Sequence, residues 1–219
     1  MNNILKEISS ESIDFYIEQN LDDFYTKSSR HSNFISHIEE KISWVLAKNA
    51  EWPMYIFRTD FEDLDLYKEI NYVKQLIREN EAPNGWTVGP LTIHKNLGNI
   101  LERFGFSNVY QQADMAINLK DLKDQSEDRS NLKVDMINNK DSLNKWVEVV
   151  SLAFGLKVDI ELLEYLFLEP EAKFYIGSYG RKPVSTLLLY CSSGVAGLHA
   201  VSKKYPFFLY FYYLFILIW

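Results

Sequence analysis

Few residue types in this chain could do side-chain chemistry, and they are widely scattered. His31, His37, His94 and His199 lie far apart, with no partner at metal-ligand spacing, so the pattern does not call for a zinc or iron site. Cys191 is the only cysteine. It removes disulfides and any cysteine-rich zinc site, fits a reducing cytoplasm, and could act as a nucleophile only beside a base. Acids that could deprotonate an amine, such as Glu148, Glu164 and Glu169, are numerous, and no spacing selects one. Backbone chemistry remains. In Gly194-Val-Ala-Gly-Leu-His-Ala-Val201 two glycines interrupt an apolar strand pattern, which either admits close approach of another backbone or marks a twisted or bulged strand.

The elements that must position these groups belong to a globular protein: 219 residues, 47% hydrophobic and 24% charged. Thirty acidic against twenty-three basic residues give a net charge of -7, and no Lys/Arg cluster exceeds a dipeptide, so no nucleic-acid partner is expected. Met1 to Ser10 has no apolar run that could serve as a signal peptide, and the expected location is cytoplasmic. The chain ends on Tyr205-Pro-Phe-Phe-Leu-Tyr-Phe-Tyr-Tyr-Leu-Phe-Ile-Leu-Ile-Trp219, without a charge or a glycine. Burying each large side chain is worth roughly 1.5–3 kcal/mol, so this segment must find a core, a partner, a membrane or an aggregate. Phe207 to Trp219 is shorter than the about twenty residues that a membrane-crossing helix needs.

Hydrophobic spacing gives a coarse order of elements. Apolar residues from Ile4 to Leu21 follow a mostly helical period, and His37 to Leu46 places Ile38, Ile42, Val45 and Leu46 on one helical face. Trp52 to Phe57 reads as a short strand begun by a proline, and Phe61 to Glu79 as a helix broken by Pro83-Asn-Gly85. A compact helix over Leu97 to Phe104, capped by Gly105, leads to a strand over Ala113 to Leu119. The polar stretch 120–131 reads as a linker. Leu132 to Ile137 alternates as a half-buried strand; Asp141 or Ser142 can cap a helix ending at Gly155; Asp159 to Leu168 is a second helix. Three strands follow, over Ala172 to Gly177, Pro183 to Tyr190 and Gly194 to Val201, joined by hairpin-like turns. The sum is an α+β pattern.

The second part resembles the first half of a GNAT-family N-acetyltransferase domain, an acetyl-CoA-dependent fold that begins strand, helix, helix and three antiparallel strands. Trp146-Val-Glu-Val-Val-Ser-Leu-Ala-Phe-Gly155 is similar to the family's first helix leading into its substrate loop. Gly180-Arg-Lys-Pro-Val-Ser-Thr-Leu-Leu-Leu189 resembles its central strand pair, and Gly194 to Val201 resembles the strand beside the pantetheine. Leu97-Gly-Asn-Ile-Leu-Glu-Arg-Phe-Gly-Phe106, with Met115-Ala-Ile-Asn-Leu119, looks like the last helix, the Gly-Phe signal and the final strand of the same fold. The resemblance implies a mixed, largely antiparallel sheet flanked by helices, in two modules of which the second is incomplete. A degenerate GNAT-like module spans 1–119, a linker 120–131, the first half of an N-acetyltransferase domain 132–204 and an aberrant hydrophobic tail 205–219.

The same resemblance implies acetyl transfer from acetyl-CoA, as cosubstrate, to a small-molecule or peptide amine. Leu198, His199, Ala200 and Val201 would then face the cofactor, with one amide polarising the thioester carbonyl. The family next requires Arg or Gln, two residues, Gly, one residue, and Gly or Ala, a turn whose amides cradle the pyrophosphate. Here Ser202-Lys-Lys204 and the tail follow, and no glycine occurs beyond Gly197. The expectation is a truncated or frameshifted acetyltransferase with impaired activity, since Lys203-Lys204 can be encoded by a slippery adenine run. The alternative is a non-catalytic interaction protein held to a membrane or partner through Tyr205 to Trp219.

Overall fold

The computed structural model describes residues 5, 8–62, 65–109, 111, 114–121, 131–203 and 215–218. The fold is α+β. Contacts divide the chain into two compact units, Asp22–Gln111 and a unit combining Met1–Leu21 with Gln112–Trp219. Helix α1, Ile13–Ser28, contributes to both. The division by composition, at 119 and 132, groups the residues otherwise than this partition, in which the N-terminal residues and the strand Asp114–Ile117 fall with the C-terminal sheet. Of the expected linker, residues 122–130 lie outside the described residues.

The Asp22–Gln111 unit holds an antiparallel sheet of β1 (Phe34–Ile38), β2 (Ile42–Ala47) and β3 (Tyr55–Thr59), with α2 (Leu66–Arg78) and α3 (Leu97–Arg103). Ile56, Leu66, Ile70 and Leu97 are wholly enclosed in one core with Trp44 and Phe61. Tyr25 stacks on Phe57 at 5.0 Å, and Phe24 lies 6.0 Å from Trp52. Arg58 is ion-paired with Asp22. The expected helix over His37 to Leu46 is corrected here to two strands. Ile38, Ile42, Val45 and Leu46 do share helical spacing. However, Ile42-Ser-Trp-Val-Leu-Ala47 is rich in β-branched and aromatic residues and is buried on both faces, an environment that a continuous apolar strand satisfies. The Ser43 hydroxyl closes the turn between them, accepting from the Glu39 N–H at 3.2 Å and donating to the Glu39 carbonyl at 2.9 Å.

The second unit carries a six-stranded sheet in the order β4-β9-β8-β7-β6-β5. Its strands are β4 (Asp114–Ile117), β5 (Leu132–Met136), β6 (Ala172–Tyr179), β7 (Lys182–Ser192), β8 (Val195–Lys203) and β9 (Phe215–Ile218). Helices α4 (Lys140–Phe154) and α5 (Ile160–Phe167) stand between β5 and β6 in the chain. The Asn139 side chain caps α4 by accepting from the Ser142 N–H at 2.9 Å, so the cap lies two residues before the expected Asp141. Gly155 ends α4 in the left-handed conformation, φ 67°, where a Cβ would be strained. Asp159 caps α5, accepting from the Glu161 and Leu162 amides. Ser193 and Gly194, φ 49° and 80°, make the two-residue hairpin between β7 and β8, a turn that needs positive φ at both central positions.

Pleating decides which side chains the helices cover. Phe174 of β6 lies opposite Leu188 of β7, which lies opposite His199 of β8, and all three are buried on one face. Trp146 of α4 packs edge-on to Phe174 at 5.1 Å and donates Nε1–H to the Leu187 carbonyl at 3.4 Å. Leu162, Leu163 and Leu166 of α5 are fully enclosed. Strand β5 differs from expectation: it is exposed along its whole length instead of half-buried, because it is the outermost strand of the sheet. Within the tail, Phe215–Ile218 forms β9, parallel to β4 and antiparallel to β8, so that its backbone enters the sheet ladder; residues 205–214 and Trp219 lie outside the described residues. Among the described residues no helix is long and apolar enough to cross a membrane.

Candidate functional site

Helix α1 brings the residues Ile13 and Ile17 against the six-stranded sheet, and Asn20, one turn further along, occupies the same stripe. A polar residue there must find partners. Asn20 is fully buried; its Nδ2 donates to the Tyr190 carbonyl at 3.1 Å and to the Ser192 hydroxyl at 2.8 Å. Those acceptors orient the amide, so its Oδ1 faces His199 Nε2 at 3.2 Å. An acceptor at that position requires the Nε2–H tautomer. Burial holds the His199 pKa down at about 3, and the ring is neutral at physiological pH. Tyr190 meets the imidazole edge-on, with ring centroids 6.2 Å apart.

The neighbouring turn of β8 is irregular. Thr186 pairs with Ser202 and Leu188 with His199, so one residue of β7 faces two of β8, and Ala200 and Val201 form a bulge opposite Leu187. Ala200 has φ 48°, the left-handed region that residues with a Cβ rarely adopt. The Thr186 hydroxyl braces the bulge, lying 2.9 Å from the Ala200 carbonyl, to which it donates, and 2.5 Å from Ser202 Oγ. Among the described residues the last pair between β8 and β9 is Leu198 opposite Ile216. Beyond it, among the described residues, no strand pairs with β8 on that side.

The four expected cofactor-facing residues are therefore consecutive on β8 but differently placed. Leu198 is half-buried and lies opposite Leu189 on one side and Ile216 on the other; His199 points into the interior towards Asn20; Ala200 and Val201 are the bulge. Cys191 and His199 project from opposite faces of the sheet, since Leu188, the partner of His199, alternates with Cys191 along β7. No thiol–imidazole pair forms between them, and burial pushes the Cys191 thiol up, away from thiolate chemistry. Glu164 is paired with Lys140 at 2.8 Å, and Glu148 is exposed on α4. His37 stacks on Trp44 at 4.0 Å in the other unit. Among the described residues no group of three or more His, Cys, Asp or Glu could hold a metal ion.

Asn20 and the Thr186–Ser202 pair escaped the sequence reading. Their only signal was polarity at positions where periodicity demanded an apolar side chain. Chemically, the arrangement offers a strand backbone fixed from its inner face by Asn20, His199 and Thr186. No family model matches the chain, and no curated protein matches it.

Proposed function

We propose that the six-stranded unit is a GNAT-like acyl-CoA scaffold, with acetyl-CoA as cosubstrate and an amine as acceptor, and that acetyl transfer by this chain is impaired. The observation that carries the reading is the braced bulge at Ala200 and Val201, two residues beyond Leu198, the last β8 residue that pairs with β9 among the described residues. An extended amide-bearing arm such as pantetheine can add to a strand there by main-chain hydrogen bonds. A fixed amide is a donor for the oxygen charge that develops when an amine attacks a thioester. The order β5, α4, α5, β6, β7, β8 supports the same reading, being the order in which a domain of that family begins.

Impairment follows from the residues after the bulge. The family's pyrophosphate turn needs glycines to aim successive amides at one anion, and Lys203 and Lys204 offer only point charges. His199, buried and neutral, acts as a brace and not as an acid or base. Isothermal titration with acetyl-CoA and with S-acetyl-pantetheine, which lacks the pyrophosphate, tests both halves of the reading. Both ligands should bind in the millimolar range, within about threefold of each other. Micromolar binding of acetyl-CoA would overturn the impairment; saturable binding of neither ligand would overturn the scaffold.

A further inference from the structure

We infer that β5 is a dimerisation edge, along which two copies of this chain pair antiparallel about Val134 and join their six-stranded sheets. Strand β5 is the end of the strand order, and among the described residues nothing pairs with its outer side. Its ladder with β6 runs through five uninterrupted pairs, from Leu132 opposite Tyr179 to Met136 opposite Tyr175. The edge is thus straight, without the bulge or proline that commonly blunts an outer strand.

The direction of the unpaired backbone groups can be read from one bond. The Ile137 N–H donates to the Phe174 carbonyl at 2.8 Å, so Ile137, and by alternation Asp135 and Lys133, direct their main-chain groups towards β6. Those of Leu132, Val134 and Met136 point outwards. In an antiparallel pair centred on Val134, Val134 meets Val134 of the second copy and Leu132 meets Met136, and these are the residues whose outward N–H and C=O groups can be exchanged. The register that satisfies the hydrogen bonds is therefore the one that lines up the apolar residues.

The side chains fit the same register. Leu132, Val134 and Met136 share one face of β5 with exposures of 39%, 59% and 54%, a high cost for large apolar groups unless something covers them. Pairing would set them against their own counterparts in a strip that continues onto Tyr179 of β6, itself 49% exposed. On the opposite face Lys133 and Asp135 lie 2.8 Å apart. Under the two-fold, Lys133 of each copy falls opposite Asp135 of the other, at the non-hydrogen-bonded positions where facing side chains approach most closely. A strand that reads apolar, basic, apolar, acidic, apolar is complementary to itself only when antiparallel, which commits the occupant to a second copy of this chain.

Sedimentation equilibrium of the full chain tests this, with circular dichroism to check folding. The wild type should reach a monomer–dimer equilibrium. Val134→Pro removes an outward N–H without touching the ladder to β6, and should weaken the dimer at least about tenfold. Lys133→Asp and Asp135→Lys each put like charges opposite one another and should also weaken it, while the double variant K133D/D135K restores opposite charges and should restore the dimer. Should Val134→Pro fail to fold, the exposed charge variants decide alone. A monomer at all accessible concentrations, a dimer indifferent to these substitutions, or a double variant no better than the single ones would each overturn the proposal.

Discussion

Acidification should weaken the six-stranded unit through His199, and the size of the effect follows from its burial. In the folded chain the His199 pKa is held down at about 3, against about 6.5 for an unperturbed histidine. The unfolded chain therefore takes up the proton first. The stability contributed by a neutral, buried His199 is complete above pH 6.5 and is lost as pH falls from 6.5 towards 3. At about 1.4 kcal/mol per pH unit, the full loss is on the order of 5 kcal/mol, of which about 2 kcal/mol is gone by pH 5. Asp22 and Asp60, whose carboxyls are raised chiefly by burial, belong to the other unit and act in the opposite sense, favouring the folded state as they protonate. Urea denaturation followed by amide signals of β7 and β8, at pH 7 and pH 5, isolates the effect when the wild type is compared with His199→Gln. Glutamine can donate to Asn20 Oδ1 but does not titrate. The wild type should lose about 2 kcal/mol more than the variant between the two pH values. Equal losses, or a folded-state His199 resonance that titrates near pH 6.5, would refute the reasoning.

Two further substitutions test the packing of the same sheet. Asn20→Leu leaves the Tyr190 carbonyl and the Ser192 and His199 side chains without their shared partner, and should cost at least about 1–3 kcal/mol by urea denaturation; a neutral result would mean that the network contributes nothing. Gly177→Ala would drive a Cβ into Ser185 Oγ, and should destabilise by about 1–3 kcal/mol, with most of the loss recovered in the double variant G177A/S185A. Equal destabilisation in the single and double variants would show that the close approach is not the cause.

Where local chemistry determined the backbone, the sequence was readable. Gly155 and Asp159 mark the end of α4 and the start of α5, and the expected turns at Tyr179–Lys182 and Ser192-Ser193 bound β7, the second lying one residue before the observed Ser193-Gly194, because each depends on residues adjacent in the chain. Legibility failed where the deciding partner is distant. The segment His37 to Leu46 has helical spacing by coincidence, and only burial on both faces makes β2 a strand. Leu132, Val134 and Met136 alternate as they should, yet periodicity cannot distinguish an outer strand from a covered one. Asn20 lies 179 residues from His199, so nothing local announces their pairing. Strand β9 pairs with β8, its neighbour in the chain, but also with the distant β4, Asp114 opposite Phe215, a pairing that composition alone cannot reveal. At the candidate site, Leu198 to Val201 could be singled out by resemblance, but the bulge and the inward turn of His199 are properties of the β7–β8 register.

The central claim is that the backbone of β8 at its bulge is a seat for an acyl-pantetheine arm. Chemical-shift mapping of the isotopically labelled full chain, titrated with S-acetyl-pantetheine, tests it most directly. The amides of Ala200, Val201, Ser202 and Lys203 should shift together along one saturable curve, with the β1–β3 sheet unmoved. Perturbations that fall elsewhere, or none at ligand concentrations on the order of ten millimolar, where even a millimolar Kd gives near-saturation, would contradict it.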